Sequence, residues 1–248
     1  CGVARMAISL DGADAATHDG FRGVPGTFDR VIEALEEARF VRLETQVQTT
    51  VTRRNLHQLD RIAGLAAQAE ARMWSVFFLV VTGRALADDD LTAEEYEEVF
   101  EKLYRISMNA PFDVKTTEAM HYRRFLARRM RERAEPADPK RAVWRTAGVS
   151  DGRGFVFISH TGEIYPSGFL PISAGNVRLD SLVDVYRNSP LFLELRDSES
   201  RHGKCGICEY RKLCGGSRAR AYALTGDYLA ADPRCSYQPH SEASLACQ

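Results

Sequence analysis

The chain has 248 residues, with 33 Lys+Arg against 34 Asp+Glu, and 44 % hydrophobic beside 27 % charged residues. That length suits one large domain or two small ones, with a core that needs no disulfide staples. A net charge of −1 gives no field for coating nucleic acid or an anionic membrane, and the longest strongly apolar run, Val76 to Val81, is far too short to span a bilayer. No secretory signal is visible and the first residue is Cys1 rather than methionine, so the chain reads as a fragment or processed product, with a cytoplasmic location expected.

In chain order, Arg5 to Leu10 reads as a short buried strand ending in the turn pair Asp11-Gly12. A polar loop follows, and His18 is read as one of its residues. Phe28, Val31, Ile32 and Leu35 then recur at helical spacing from Thr27 to about Phe40. Thr45 to Val51 is a β-branched run, and Asn55 with Gln58 resembles a capping box opening a helix to about Glu70. Trp74 to Val81 is the third strand, and Thr92 with Glu95 caps a helix whose Tyr96, Val99, Phe100 and Leu103 mark one face. Phe112 to Thr116 is a further strand, followed by a helix from about Glu118 to Glu135. Strand–helix units of this length imply an α/β architecture with parallel strands, a sheet or part of a barrel.

Pro136-Ala-Asp-Pro139 is the best linker candidate, and beyond it the pattern changes. Gly154 to Ser159 and Glu163 to Tyr165 flank a glycine-containing turn, which predicts a hairpin. Short helical pieces over 182–186 and 191–195 are separated at Ser189-Pro190, and a last helix covers Arg218 to Leu224. The charge-rich run from Arg123 to Arg133 reads as a solvated helix face, with an acidic-substrate site as the sharper alternative.

The cysteines are the most informative feature. No cysteine occurs between Cys1 and Cys205; then Cys205-x2-Cys208-x5-Cys214 arrives, with Cys235 further on, while Cys1 and Cys247 are read as incidental. A disulfide scaffold would not confine its cysteines to one short segment. Four converging thiolates suit zinc or an iron–sulfur cluster, both soft-ligand sites. Gly206, Gly215 and Gly216 would allow close backbone approach to a bulky group.

These residues carry a family resemblance. Ile8-Ser-Leu-Asp-Gly12 with His18, Asp19 and Arg22 resembles the fourth barrel strand and following loop of radical SAM enzymes, and Thr49-Thr-Val-Thr-x-x-Asn55 resembles their fifth strand. Gly162-Glu-Ile-Tyr-Pro166 with Gly175-Asn-Val177, and the cysteine segment with Asp232-Pro-x-Cys235, resemble the SPASM-type auxiliary domain. The resemblance implies the C-terminal part of a partial (β/α) barrel over 1–117, a linker helix and connection over 118–150, and a small α+β auxiliary domain over 151–248. The C-x3-C-x2-C loop that holds the family's catalytic cluster is not in this chain, and Ser167 and Arg218 stand where the family often has cysteine.

The resemblance therefore implies one auxiliary [4Fe–4S] cluster, held by Cys205, Cys208, Cys214 and Cys235. Ser9 and Arg22 match positions that contact the carboxylate of S-adenosylmethionine (AdoMet); the bland alternative is a strand-end serine and a solvated loop arginine. In the intact family a catalytic [4Fe–4S] cluster reduces AdoMet to a 5′-deoxyadenosyl radical that abstracts hydrogen from the substrate. The expected partners are a peptide or a small-molecule cofactor precursor and a reducing electron donor, with neither nucleic acid nor membrane. The chain alone is expected not to cleave AdoMet. A non-catalytic iron–sulfur or zinc module that docks a partner is the alternative from a different class.

Overall fold

The computed structural model describes residues 2–83, 85–133 and 149–239. The chain divides into two compact units, the first drawn from 2–79 and 86–117 and the second from 80–85, 118–133 and 149–239. The linker candidate Pro136 to Pro139 lies outside the described residues, as do Cys1 and Cys247.

In the first unit, strands β1 (Arg5–Ser9), β2 (Glu44–Val51), β3 (Met73–Phe78) and β4 (Asp113–Thr117) form one parallel sheet in the order β1-β2-β3-β4. Ile8 pairs with Val47, Val47 with Trp74 and Trp74 with Val114, so this row of apolar side chains runs across the sheet. Helices α1 (Ala15–Arg22) and α2 (Thr27–Phe40) connect β1 to β2, α3 (Leu59–Gln68) connects β2 to β3, and α4 (Ala93–Asn109) connects β3 to β4. This is the α/β parallel arrangement that alternating elements demand, and the sheet is not closed into a barrel among the described residues. The core gathers Leu35, Val47, Ile62, Trp74, Val76, Phe100 and Leu103, all buried. Phe78 stacks its ring 4.8 Å from that of Tyr96 and 5.4 Å from that of Phe100, which fixes α4 against β3. The Thr92–Glu95 capping box forms as the sequence indicates.

Three expectations need correction here. The segment after Asp14 is helix α1 rather than loop: Asp14 caps it by accepting from the Thr17 N–H, and Gly23 ends it in the left-handed region at φ 72°. Asn55 and Gln58 make no capping box. A 3-10 turn, Leu56–Gln58, precedes α3, and both side chains bond elsewhere, as described below. β3 ends at Phe78, and Val80 packs in the core of the second unit with Leu170, Leu195 and Ala219.

The second unit opens on helix α5 (His121–Arg133) and continues with an antiparallel hairpin, β5 (Phe157–Ile158) and β6 (Ile164–Tyr165). Helices α6 (Leu182–Asn188) and α7 (Pro190–Arg196) follow, with Pro190 at the first turn of α7, where its missing N–H costs nothing. The short α8 (Gly203–Gly206) and α9 (Arg218–Thr225) complete it. Phe192, Ile164 and Val185 form an apolar cluster under the hairpin. No helix among the described residues is long and apolar enough to cross a membrane.

Candidate functional site

Each unit carries its own polar constellation. In the first, residues at and just beyond the C-terminal ends of β1 and β2 are tied together, the end of a parallel sheet where α/β proteins place ligands. Leu10 donates to the Gln48 carbonyl at 2.7 Å, the Thr49 hydroxyl donates to the Leu10 carbonyl at 2.7 Å, and the Trp74 indole donates to the Thr49 hydroxyl at 2.9 Å. Asp11 is fully buried; its Oδ1 accepts from the Thr50 N–H at 2.7 Å and its Oδ2 lies 2.6 Å from Nη2 of Arg22. Asn55 clamps the same turn by donating to the Asp11 and Thr50 carbonyls at 2.9 and 2.8 Å. Gln58 accepts from the Ala13 N–H and donates to Asp14 and Thr17. These tertiary bonds are what withdraw both side chains from the capping role.

His18 is buried on α1 rather than loose in a loop, and its Nδ1 accepts from the Asp11 N–H at 3.0 Å, which leaves the proton on Nε2. Burial, with the Arg22 charge adding to it, holds the His18 imidazole below its ordinary value and keeps it neutral. Burial also pushes the Asp11 carboxyl up, opposed by the Thr50 N–H and by Arg22. Gly12 is required here because a Cβ would sit 2.5 Å from the His18 nitrogen. Of the expected AdoMet-contacting pair, Ser9 is the last residue of β1 and Arg22 the last of α1, its guanidinium partly exposed. What the fold joins directly is Arg22 to Asp11, a residue read from sequence only as part of a turn.

In the second unit, Cys205, Cys208, Cys214 and Cys235 line one cavity, together with Arg124, Lys204, Gly216 and other residues. All four are free of disulfides. Each sulfur has a backbone N–H directed at it: Gly216 at 3.3 Å from the Cys214 Sγ, Asp232 at 3.5 Å from the Cys205 Sγ, Tyr210 on Cys208 and Tyr237 on Cys235. Arg218 brings its Nη2 within 3.9 Å of the Cys205 Sγ. Lys204 donates to the Cys235 carbonyl, which ties the returning segment to α8. Burial raises three of the thiols, that of Cys214 to about 12, that of Cys235 to about 11, and that of Cys208 as well. These three are held as neutral thiols until an electrophilic metal displaces their protons.

The donor set fits an anionic, thiolate-ligated group. Nε of Arg201 and Nε of Arg218 are buried without a partner, and both guanidinium groups lie at this site. Buried cations of this kind are costly unless negative charge is brought among them. Among the described residues no group of three or more His, Cys, Asp or Glu side chains is arranged to hold a metal ion. Arg124 was expected on a solvated face but is buried, with its guanidinium 5.0 Å from the ring of Tyr237. That burial comes from a segment more than a hundred residues away, which local periodicity does not register.

No protein-family model matches the chain. The chain is 40 % identical over 240 residues to an AdoMet-dependent heme synthase of Methanosarcina barkeri, covering 96 % of this chain and 69 % of that protein. It is 31 % identical over 248 residues to the mycofactocin maturase MftC of Mycobacterium tuberculosis, covering 96 % of this chain and 59 % of the maturase. Among solved structures it resembles SuiB of Streptococcus suis, with a TM-score of 0.68 at 17 % identity over 94 % of this chain and 55 % of SuiB. The chain thus spans about two thirds or less of the length of these proteins. It belongs to the radical SAM family, among the SPASM-type proteins, and the fold neighbours agree with its α/β architecture.

Proposed function

We propose that this chain is the part of an AdoMet-dependent radical enzyme that holds one auxiliary [4Fe–4S] cluster on Cys205, Cys208, Cys214 and Cys235. The observation that carries the reading is that all four thiols line one cavity in the second unit. In this reading the barrel part covers 1–117, a linker helix and connection 118–150 and the auxiliary domain 151–248. When bound, AdoMet and the family's catalytic cluster supply radical hydrogen abstraction.

The chain's own residues then divide the remaining work. The Arg22 guanidinium binds the AdoMet carboxylate, which its planar fork suits, and Asp11 holds that guanidinium in place. Ser9 offers a hydroxyl at the end of β1. The N–H groups of Gly216 and Asp232 settle charge on the ligating sulfurs of Cys214 and Cys205. The greater likeness to a heme synthase, 40 % against 31 % for the peptide maturase, favours a tetrapyrrole-like cofactor precursor as substrate over a peptide. A reducing electron donor and a cytoplasmic location belong to the same reading.

Iron and acid-labile sulfide in anaerobically purified protein test the cluster. About four of each per chain are expected, lost together in Cys208→Ser. Zinc without sulfide overturns the assignment. For the substrate, fluorescence titration with a carboxylated tetrapyrrole should show saturable binding, and tighter binding of a precursor peptide would reverse that choice.

A further inference from the structure

Arg218 stands where the family resemblance places a further cysteine, and the fold gives it a different task. It opens α9 and is 2 % exposed. Its Nη1 donates to the carbonyls of Tyr228 and Ala230 at 3.0 and 2.7 Å, which locks the guanidinium plane. Its Nη2 is the group 3.9 Å from the Cys205 Sγ, and its Nε is buried without a partner. Of the neighbouring carboxylates, Asp232 pairs with Arg220 at 3.1 Å, and Asp151, whose Oδ2 accepts from the Ala219 N–H at 3.1 Å, also feels the Arg218 charge.

The chain makes room for this cation. Gly216 lies at φ 68°, and a Cβ there would sit 2.5 Å from Nη2 of Arg218. Arg201 lies against Gly215 in the same way, 2.7 Å from where a Cβ would be, and its Nη1 donates to the Arg211 carbonyl at 2.5 Å. The two guanidinium groups repel each other, while the Cys205 and Cys214 sulfurs attract Arg201. One buried and one partly buried guanidinium thus flank one thiolate ligand, and negative charge on the sulfurs and on whatever they bind adds to that of Asp151 in offsetting them.

An iron–sulfur cluster gains one negative charge on reduction, and its potential follows net charge and hydrogen bonding at the sulfurs. A fixed cation a few ångströms away in a poorly screened interior stabilises the reduced form more than the oxidised one. We propose that Arg218, with Arg201 beside it, is a positioning residue that raises the reduction potential of the auxiliary cluster through the Cys205 sulfur. This inference rests on the cluster assignment made above.

The test is an EPR-monitored redox titration of the anaerobically purified protein and of Arg218→Gln. At a fixed potential the variant's reduced-to-oxidised ratio should fall about tenfold or more, which is 59 mV for a one-electron couple. Its content should remain about four iron and four sulfide per chain. Arg218→Lys, which keeps the charge, should recover part of the shift. An unchanged potential in a fully loaded Arg218→Gln overturns the inference, whereas wild-type protein without iron and sulfide overturns the cluster assignment instead. Should Arg218→Gln fail to load, Arg201→Gln carries the test: its potential should shift in the same direction, and an unchanged potential in that fully loaded variant would overturn the inference.

Discussion

The Arg22 guanidinium lies 2.6 Å from the Oδ2 of Asp11, joining the end of α1 to the turn beyond β1. One partner is fully buried and the other reaches solvent, so the carboxylate fixes where a partly exposed cation points. Asp11→Asn keeps the shape and the acceptor for the Thr50 N–H but removes the charge that holds Arg22. Charge-assisted bonds of this kind contribute about 1.5–3 kcal/mol, so AdoMet affinity should fall roughly tenfold or more. Calorimetric titration of AdoMet into both proteins measures this, and equal affinities would remove Asp11 from the site.

Thr49 serves two neighbours at once, donating to the Leu10 carbonyl and accepting from the Trp74 indole. Thr49→Val is close to isosteric and leaves that buried N–H and carbonyl unmatched. Urea unfolding should show a loss of about 1–3 kcal/mol with an unchanged slope. A loss below about 0.5 kcal/mol would mean that the strand ends tolerate the gap, against the cost usual for a buried orphan donor.

Much of this was legible in the sequence where local chemistry dictates structure. The apolar run at Trp74, the Thr92–Glu95 box and the glycine turn of the hairpin each announce their element, and the cysteine spacing announces a site. Helix α1 was not legible because Ala15–Arg22 buries only His18 and carries no apolar stripe. Its signals were the caps at Asp14 and Gly23. Asn55 and Gln58 mislead for the opposite reason: the motif is present, but bonds to residues more than forty positions away take the side chains. Asp11, Arg124, Arg218 and Arg220 are likewise buried with partners outside their own elements, and a charged residue read alone defaults to solvent.

Gly206 ends α8 between the first two clustered cysteines, and a Cβ at that position would lie 2.2 Å from the Arg201 carbonyl oxygen. The obstruction is backbone, so neither side can yield without moving the loop that carries Cys205 and Cys208. Gly206→Ala should destabilise the chain by about 1–3 kcal/mol, as overpacking does, and lower iron content well below that of wild type. Colorimetric iron per chain after anaerobic reconstitution gives the answer, and full loading would show that the loop adapts.

Glu118 precedes α5 with φ at 56° and is buried; the Ser217 hydroxyl donates to its Oε2 at 2.5 Å. Burial first, and then the Asp151 charge, push its carboxyl up to about 8, against an ordinary 4.5, while Ser217 and Arg220 pull the other way. The folded chain therefore keeps a proton that the unfolded chain releases above about pH 4.5. Between that pH and about 8 the folded state binds more protons, so unfolding free energy falls as pH rises. The slope from this one group reaches about 1.4 kcal/mol per pH unit and ends once both states are ionised. Glu118→Gln still accepts from Ser217 but cannot ionise. Urea midpoints at several pH values across this window should decline less steeply for the variant, which becomes the more stable protein toward pH 8. Parallel curves would mean that Glu118 is already ionised at the bottom of the window, with Arg220 outweighing burial.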